Sequence, residues 1–157
     1  MLFSKSFGYA IRAILHMAEK KESGRYIKAD EIAGSLDIPR HFLSKVMKSM
    51  AKKKILHSSK GPTGGFSVSE ETWQMPLYQI ALITKDVPEM NRCMLTFQTC
   101  DLQKPCPLHA NLEKINLEIL HFLNHTTIAD LINKENTAVG PFLSALGQKN
   151  LPETTAA

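Results

Sequence analysis

Cys93, Cys100 and Cys106 are the only thiols in a chain of 157 residues, and His109 follows the last of them at three residues. The pattern Cys-x6-Cys-x5-Cys-x2-His gathers three soft thiolates and one imidazole, a ligand set suited to iron-sulfur clusters and to zinc alike. An odd, clustered set of cysteines points to metal or redox chemistry rather than a disulfide framework. Ligand type alone does not choose between the metals. The close Cys-x2-Cys knuckles common in zinc sites are absent, and the wider spacings suit a larger object such as a cluster. Pro107 suits the first position of a helix, which would make Cys106 the N-cap, where the helix dipole favours a thiolate. His109 then lies on the same face of the first turn and can reach the same ion. Asp101 is a minor candidate for a fourth ligand, and His16, His121 and His125 read as ordinary helix or turn residues.

A second set of residues has polyanion chemistry. Residues 1 to 60 hold 13 Lys and Arg against 5 Asp and Glu, whereas the rest of the chain is net acidic within a total of +4. Within that segment Arg40, His41, Ser44, Lys45, Lys48 and Lys52 share one side of a helical period. Leu43, Val46, Met47 and Met50 take the other. No acid lies on the basic side, so within the helix those cations have no partner.

The elements that position these sets follow from periodicity. Phe7, Ile11, Ile14, Leu15 and Ala18 mark one buried helical face from 7 to 18. An extended piece at Tyr26 and Ile27 leads to a short helix over 29 to 36. Asp37, Ile38 and Pro39 form a break, and the basic helix begins at Arg40. Two helices around a tight turn, the second with a polar and basic outer face, are the pattern of a helix-turn-helix. Strand-like runs over 55 to 60 and 66 to 68 flank Gly61-Pro62-Thr63-Gly64-Gly65 and predict a hairpin, or wing. Its glycines would let the backbone approach a phosphate or minor groove closely. A helix is expected near Leu77 to Ile83, then the cysteine loop, then a long helix from 107. In that helix Leu108, Leu112, Ile115, Ile119 and Phe122 step by four and three, a seam that would zip two copies together. Leu117, Leu120 and Leu123 widen it, so the helix should also cover its own winged domain.

The chain resembles the Rrf-type regulators, the family of small bacterial transcription factors that includes IscR, NsrR and RirA. The resemblance runs from Met1 to about Leu131. It is carried by Ser4-Lys5 with Tyr9-Ala10-Ile11-Arg12-Ala13, by Ile32-Ala33 to Ile38-Pro39, and by Ser59-Lys60-Gly61 with Gly64-Gly65-Phe66. It implies DNA contacts from His41 and Ser44 to base edges, with Ser59, Lys60, Gly61, Gly64 and Gly65 at the wing. It further implies that the three cysteines hold an iron-sulfur cluster, completed in IscR-like members by a histidine at the position of His109 to make a 2Fe-2S site. Two departures stand out. The first cysteine spacing is one residue longer than in IscR-like members, and Gly8 replaces the acidic ligand of NsrR-like members. Ser44 stands where IscR-like members carry a glutamate that restricts which sites they accept, so one class of site is expected here.

The expected fold is mainly α: a winged helix-turn-helix over 1 to 72, a connecting helix and cysteine loop over 73 to 106, a dimerisation helix and short terminal helix over 107 to 135, and a loose tail over 136 to 157. The expected function is a sequence-specific regulator of transcription, a repressor, bound as a homodimer to a pseudo-palindromic operator in double-stranded DNA. Its control is by a cluster that senses redox, iron or nitric oxide status, 2Fe-2S ahead of 4Fe-4S and both ahead of zinc. A zinc-stabilised or thiol-based regulator without a cluster is the alternative. A small iron-sulfur electron carrier is a remote one, since it has no use for a basic helix and wing. The sequence shows no nucleophile-base pair or cofactor fingerprint of an enzyme. No apolar run reaches the roughly 18 residues of a membrane span, and Lys5 and Arg12 sit where a secretory signal would be apolar, so a cytoplasmic protein is expected.

Overall fold

The computed structural model describes residues 3–20, 25–87, 92–93, 95–96, 98–132 and 139–147. Helix α1 (Lys5–Glu19) starts where Ser4 Oγ accepts the Phe7 N–H at 3.2 Å, and it buries Phe7, Ala10, Ala13, Ile14 and Met17. Helix α2 (Ala29–Leu36) begins with Asp30 and Glu31, whose charges suit the positive helix end. It ends at Asp37, in the left-handed region at φ 49°, with the Ile38 N–H turned back to Ala33 O at 3.0 Å. Arg12 of α1 also donates to the Leu36 carbonyl, satisfying one of the acceptors a helix end leaves open.

Helix α3 (Arg40–Lys52) follows from Pro39 at its N-cap and buries the predicted stripe of Leu43, Val46, Met47 and Met50. Its C-terminus closes in the same manner as α2: Lys54 takes φ 61° and the Ile55 N–H reaches Met50 O at 3.0 Å. Ile55 and Leu56 are buried. The hairpin strands β1 (His57–Ser59) and β2 (Gly65–Ser67) are therefore shorter than the apolar run suggested. They pair antiparallel in the register His57 to Ser67 and Ser59 to Gly65. Ile27 bridges to the far side of β2, exchanging backbone hydrogen bonds with Phe66 at 2.8 and 2.9 Å.

Helix α4 (Glu70–Trp73) is opened by a reciprocal Ser69 and Thr72 capping pair, and the Thr72 hydroxyl also donates to Ile55 O at 2.6 Å. Helix α5 (Leu77–Ile83) leads towards the cysteine loop, after which come α6 (His109–His125), α7 (Ile128–Ile132) and α8 (Val139–Gly147). One core joins these pieces: Leu77 and Ile80 of α5, Leu123 of α6, Ile128 of α7 and Leu143 of α8 lie in the same buried cluster as the three helices of the winged domain.

Two expectations are corrected. The long helix starts at His109 rather than 107, because Pro107 and Leu108 form a turn in which the His109 N–H donates to Cys106 O at 3.0 Å. Cys106 is therefore one turn ahead of the helix and is not its N-cap. The predicted loose tail contains α8, which packs on α1 and α2 and buries Leu143. Pro141 is accommodated because it falls in the first turn, where no helical N–H bond is required. Residues 148 to 157 of the predicted tail lie outside the described residues.

Candidate nucleic-acid interface and cysteine loop

The outer face of α3 is built as its periodicity requires. With Leu43, Met47 and Met50 fully buried, His41, Lys45, Lys48 and Lys52 must point away from the core, and all four are exposed. Ser44 is half-buried. Arg40 is drawn sideways into an ion pair with Asp30 of α2, so its cation is matched across the turn rather than left unopposed. Phe42, which the sequence reading passed over, is 53% exposed and lies against His41 in a tilted pair with ring centroids 4.2 Å apart. Its exposure places an aromatic ring beside the basic face.

The wing follows this helix in the chain, with Ser59, Lys60 and Gly61 exposed. Its glycines divide by role. Gly61 lies at φ 102° with open space where a Cβ would stand. Gly64 is buried, and a Cβ there would strike Ser59 O; one at Gly65 would strike Ile27 O. Gly64 and Gly65 are small so that the hairpin can close on itself and on the Ile27 strand, and Gly61 alone is open at the tip.

In the cysteine loop an antiparallel bridge between Arg92 and Thr99, with the Cys93 N–H donating to Gln98 O at 2.7 Å, folds the first spacing back on itself. Cys93 is buried; Cys100 and Cys106 are half-buried, and all three are free thiols. Hydrogen bonds from the Thr96 hydroxyl and from the backbone N–H groups of Leu95 and Thr96, with the Cys106 thiol within hydrogen-bonding reach, pull the Cys93 thiol down to about 6. Burial, with the Cys93 and Cys106 sulfurs nearby, pushes Cys100 up. The two shifts run in opposite directions because the sulfurs lie within reach of one another, which favours the thiolate at Cys93 over that at Cys100. His109 is half-buried at the start of α6. Asp101 is occupied in a turn, accepting the Gln103 N–H at 2.9 Å. Among the described residues no three His, Cys, Asp or Glu side chains are drawn together as a single-ion site. The donor chemistry fits a metal group, since three sulfurs interact with one another and one is poised as thiolate.

The stem of this loop is tied to α1 by a contact the sequence reading missed. The buried Asp86 carboxylate accepts the Ser4 N–H at 2.5 Å and the Ser4 hydroxyl at 3.0 Å, and it also takes the Thr84 hydroxyl. Ser4 ahead of an apolar helical period was the legible half of that pair. Nothing in the spacing pointed to a carboxylate 82 residues away.

Along α6 the predicted seam splits into two sets. Leu112 and Ile119 are half-buried, Ile119 packs on the core and Leu123 is fully buried. Leu108, Ile115 and Phe122, one heptad apart, are 38%, 53% and 49% exposed and form an apolar ridge on the flank. Leu117 stands apart from it, also exposed.

Residues 3–134 match a family model described as Rrf2, an iron-dependent transcriptional regulator. A chain of Aquifex aeolicus named as an HTH-type transcriptional regulator is 35% identical over 143 residues, covering 90% of this chain and 98% of that one. The HTH-type transcriptional regulator IscR of Cronobacter sakazakii is 25% identical over 127 residues, covering 81% and 77%. Among solved structures, CymR (YrzC), the global cysteine regulator of B. subtilis, superposes with a TM-score of 0.64 at 17% identity, covering 82% of this chain and 94% of that one. The IscR of T. potens does so at 0.62 and 18%, covering 82% and 84%. At those identities the likeness establishes the fold: a mainly helical winged helix-turn-helix with a two-stranded wing.

Proposed function

The chain belongs to the Rrf2 family of transcriptional regulators, and from that premise we propose that two copies grip a pseudo-palindromic operator while the cysteine loop holds an iron-sulfur cluster that sets their affinity. It is a DNA-binding regulator and not an enzyme. The single observation that carries the reading is the exposed row of His41, Lys45, Lys48 and Lys52 on α3 ahead of the wing.

In this reading α3 enters the major groove. Lys45, Lys48 and Lys52 meet phosphates, with Arg40 joining them from its pair with Asp30. His41 and Ser44 approach base edges, and Ser59, Lys60 and Gly61 follow the backbone from the wing tip. Gly64 and Gly65 keep the wing in shape. The ridge of Leu108, Ile115 and Phe122 supports the homodimer: apolar side chains spaced by seven on one helix flank are what a second copy would cover. Two reading heads so joined match successive half-sites. No helix among the described residues is long and apolar enough to cross a membrane, and in this reading the protein works on DNA in the cytoplasm.

Cys93, Cys100, Cys106 and His109 would hold the cluster, 2Fe-2S ahead of 4Fe-4S, with zinc behind both. When bound, a cluster supplies a redox- and iron-dependent group whose presence orders the loop. The chain's own contribution is the Thr96 and backbone hydrogen bonds that favour the Cys93 thiolate, and the Asp86 tie that anchors the loop stem to α1. A coupling of about 1 to 3 kcal/mol between loop and reading heads is enough for a switch. A second reading, a thiol-based regulator without a cluster, is favoured by the depressed Cys93 thiol beside Cys106.

Anaerobic purification of the full chain, with a visible spectrum and counts of iron and sulfide, separates the two. Operator DNA selected from a random library then reads affinity. Cys100→Ala is expected to abolish the visible absorbance and change operator affinity. A colourless Cys100→Ala protein that binds DNA as the wild type does under every redox condition would remove the sensing role and leave the DNA-binding role standing.

A further inference from the structure

The outward face of α6 carries a pair of imidazoles that the regulator reading does not use. His121 and His125 lie four residues apart, one turn of helix, and their rings stack with centroids 4.0 Å apart. Both side chains are exposed. They face away from Leu123, which α6 buries in the core, and His125 follows Phe122 of the ridge by three residues, on the side of the ridge away from the core.

The ring of His125 is held in a particular way. Its Nδ1 lies 2.8 Å from the His121 carbonyl oxygen, the distance of an N–H donating to that carbonyl. In the neutral ring, a proton on Nδ1 leaves Nε2 as the nitrogen with a lone pair to give. This is the arrangement by which histidine ligands are oriented: one ring nitrogen donates to a carbonyl or carboxylate, and the other faces the ion. His121 supplies a second imidazole one turn away, and its ring must swing out of the stack with His125 for the two nitrogens to converge on one ion. Among the described residues no third His, Cys, Asp or Glu completes a cage, so water would fill the remaining positions of any bound ion. Two neutral nitrogens and water suit a borderline divalent cation, zinc, nickel or copper, far better than calcium or magnesium, which take oxygen.

We propose that His121 and His125 form a surface chelate for a divalent transition-metal ion on the last turns of α6, independent of the cysteine loop. Bridging one turn, the ion would lock the C-terminal end of the helix, where the Leu77 N–H of α5 donates to Thr126 O at 2.9 Å.

The test uses the full chain with Cys93, Cys100 and Cys106 all replaced by serine, so that thiols cannot compete, and titrates it with nickel chloride by calorimetry. One ion per chain is expected. His121→Asn and His125→Asn should each weaken binding about tenfold or more, while His109→Asn leaves it unchanged. Circular dichroism confirms that each variant keeps its helices. With zinc chloride in excess, the thermal midpoint of the serine-substituted chain should rise, and that of its His125→Asn derivative should not. A chain that takes up no nickel at millimolar concentration, or whose affinity survives both asparagine substitutions, overturns the proposal; loss of binding on His109→Asn would assign the ion to the cysteine loop and overturn it equally.

Discussion

Replacing Gly65 by alanine should unfasten the wing, and the structure gives the size of the effect. The new Cβ would strike Ile27 O and come within 2.6 Å of Ile27 C and 3.0 Å of Lys28 N, all of them backbone atoms that no rotamer change can move. To restore ordinary contact β2 must draw back from Ile27. That breaks the Ile27–Phe66 pair of hydrogen bonds, now 2.8 and 2.9 Å long. Each such bond contributes about 1 kcal/mol net, and a donor or acceptor left without water costs more, so the expected loss is about 2 to 4 kcal/mol. Gly61→Ala is the internal control: its φ is 102° but nothing stands within 4 Å of the new methyl, so it suffers only left-handed strain of about 1 to 2 kcal/mol, partly offset by a stiffer unfolded chain. Urea denaturation at one fixed protein concentration compares the two. With a slope of about 1 to 3 kcal/mol per molar for a protein of this size, the Gly65 variant should unfold at a urea concentration about 1 M or more below wild type and below the Gly61 variant. Hydrogen exchange at the Ile27 and Phe66 amides should quicken in the Gly65 variant alone. A Gly65→Ala protein as stable as Gly61→Ala, with those two amides still protected, would refute the reasoning.

Other perturbations separate the remaining parts. Phe122→Asp, placing a charge on the heptad ridge of α6, should shift sedimentation from dimer to monomer without loss of helical signal. Lys48→Ala should weaken DNA binding at every sequence and lower the slope of log affinity against log salt by about 0.9; an unchanged slope would place Lys48 off the phosphates. His16 is buried with its Nε2 unpartnered, and burial, helped by Lys20 and opposed by Glu19 and Glu31, lowers its pKa. The fold therefore favours the neutral ring. Its contribution is whole above the usual imidazole value of about 6.5 and is lost as pH falls through that value towards the lower one of the folded state. The urea midpoint should drop over that window in the wild type and stay flatter in His16→Leu.

The reading of the winged domain from sequence succeeded where one period decided the matter. In α3 the same four residues that make the apolar stripe fix the opposite face, so Lys45, Lys48 and Lys52 had to be exposed. The extended piece at Ile27 was likewise legible, although not its partner: that Phe66 would pair with it depends on chain separated by almost forty positions. Partners remote in sequence account for the other gaps. Asp30 takes Arg40 because α2 and α3 meet across the turn, and an inventory of α3 alone could not include it. Why Gly64 and Gly65 must be small was not legible, because glycine records only that space is lacking and does not say that the chain's own Ser59 and Ile27 carbonyls take it. At Cys106 the following Pro107 suggested an immediate helix, but a single turn closed by the His109 N–H intervenes. Helix α8 was hidden by Gly140 and Pro141, which signal a break in mid-helix but are tolerated in a first turn.

That last helix has a consequence for how the molecule comes into being. Leu143 sits in the cluster shared with Ile14 and Ile32, so the DNA reader is sealed by a segment that follows it in the chain and is synthesised after it. While translation continues, the rear of α1 and α2 stays bare, and the nascent chain depends on chaperones or on speed to escape sticking to its neighbours. Competence to bind an operator should therefore arrive only once α8 has emerged and docked.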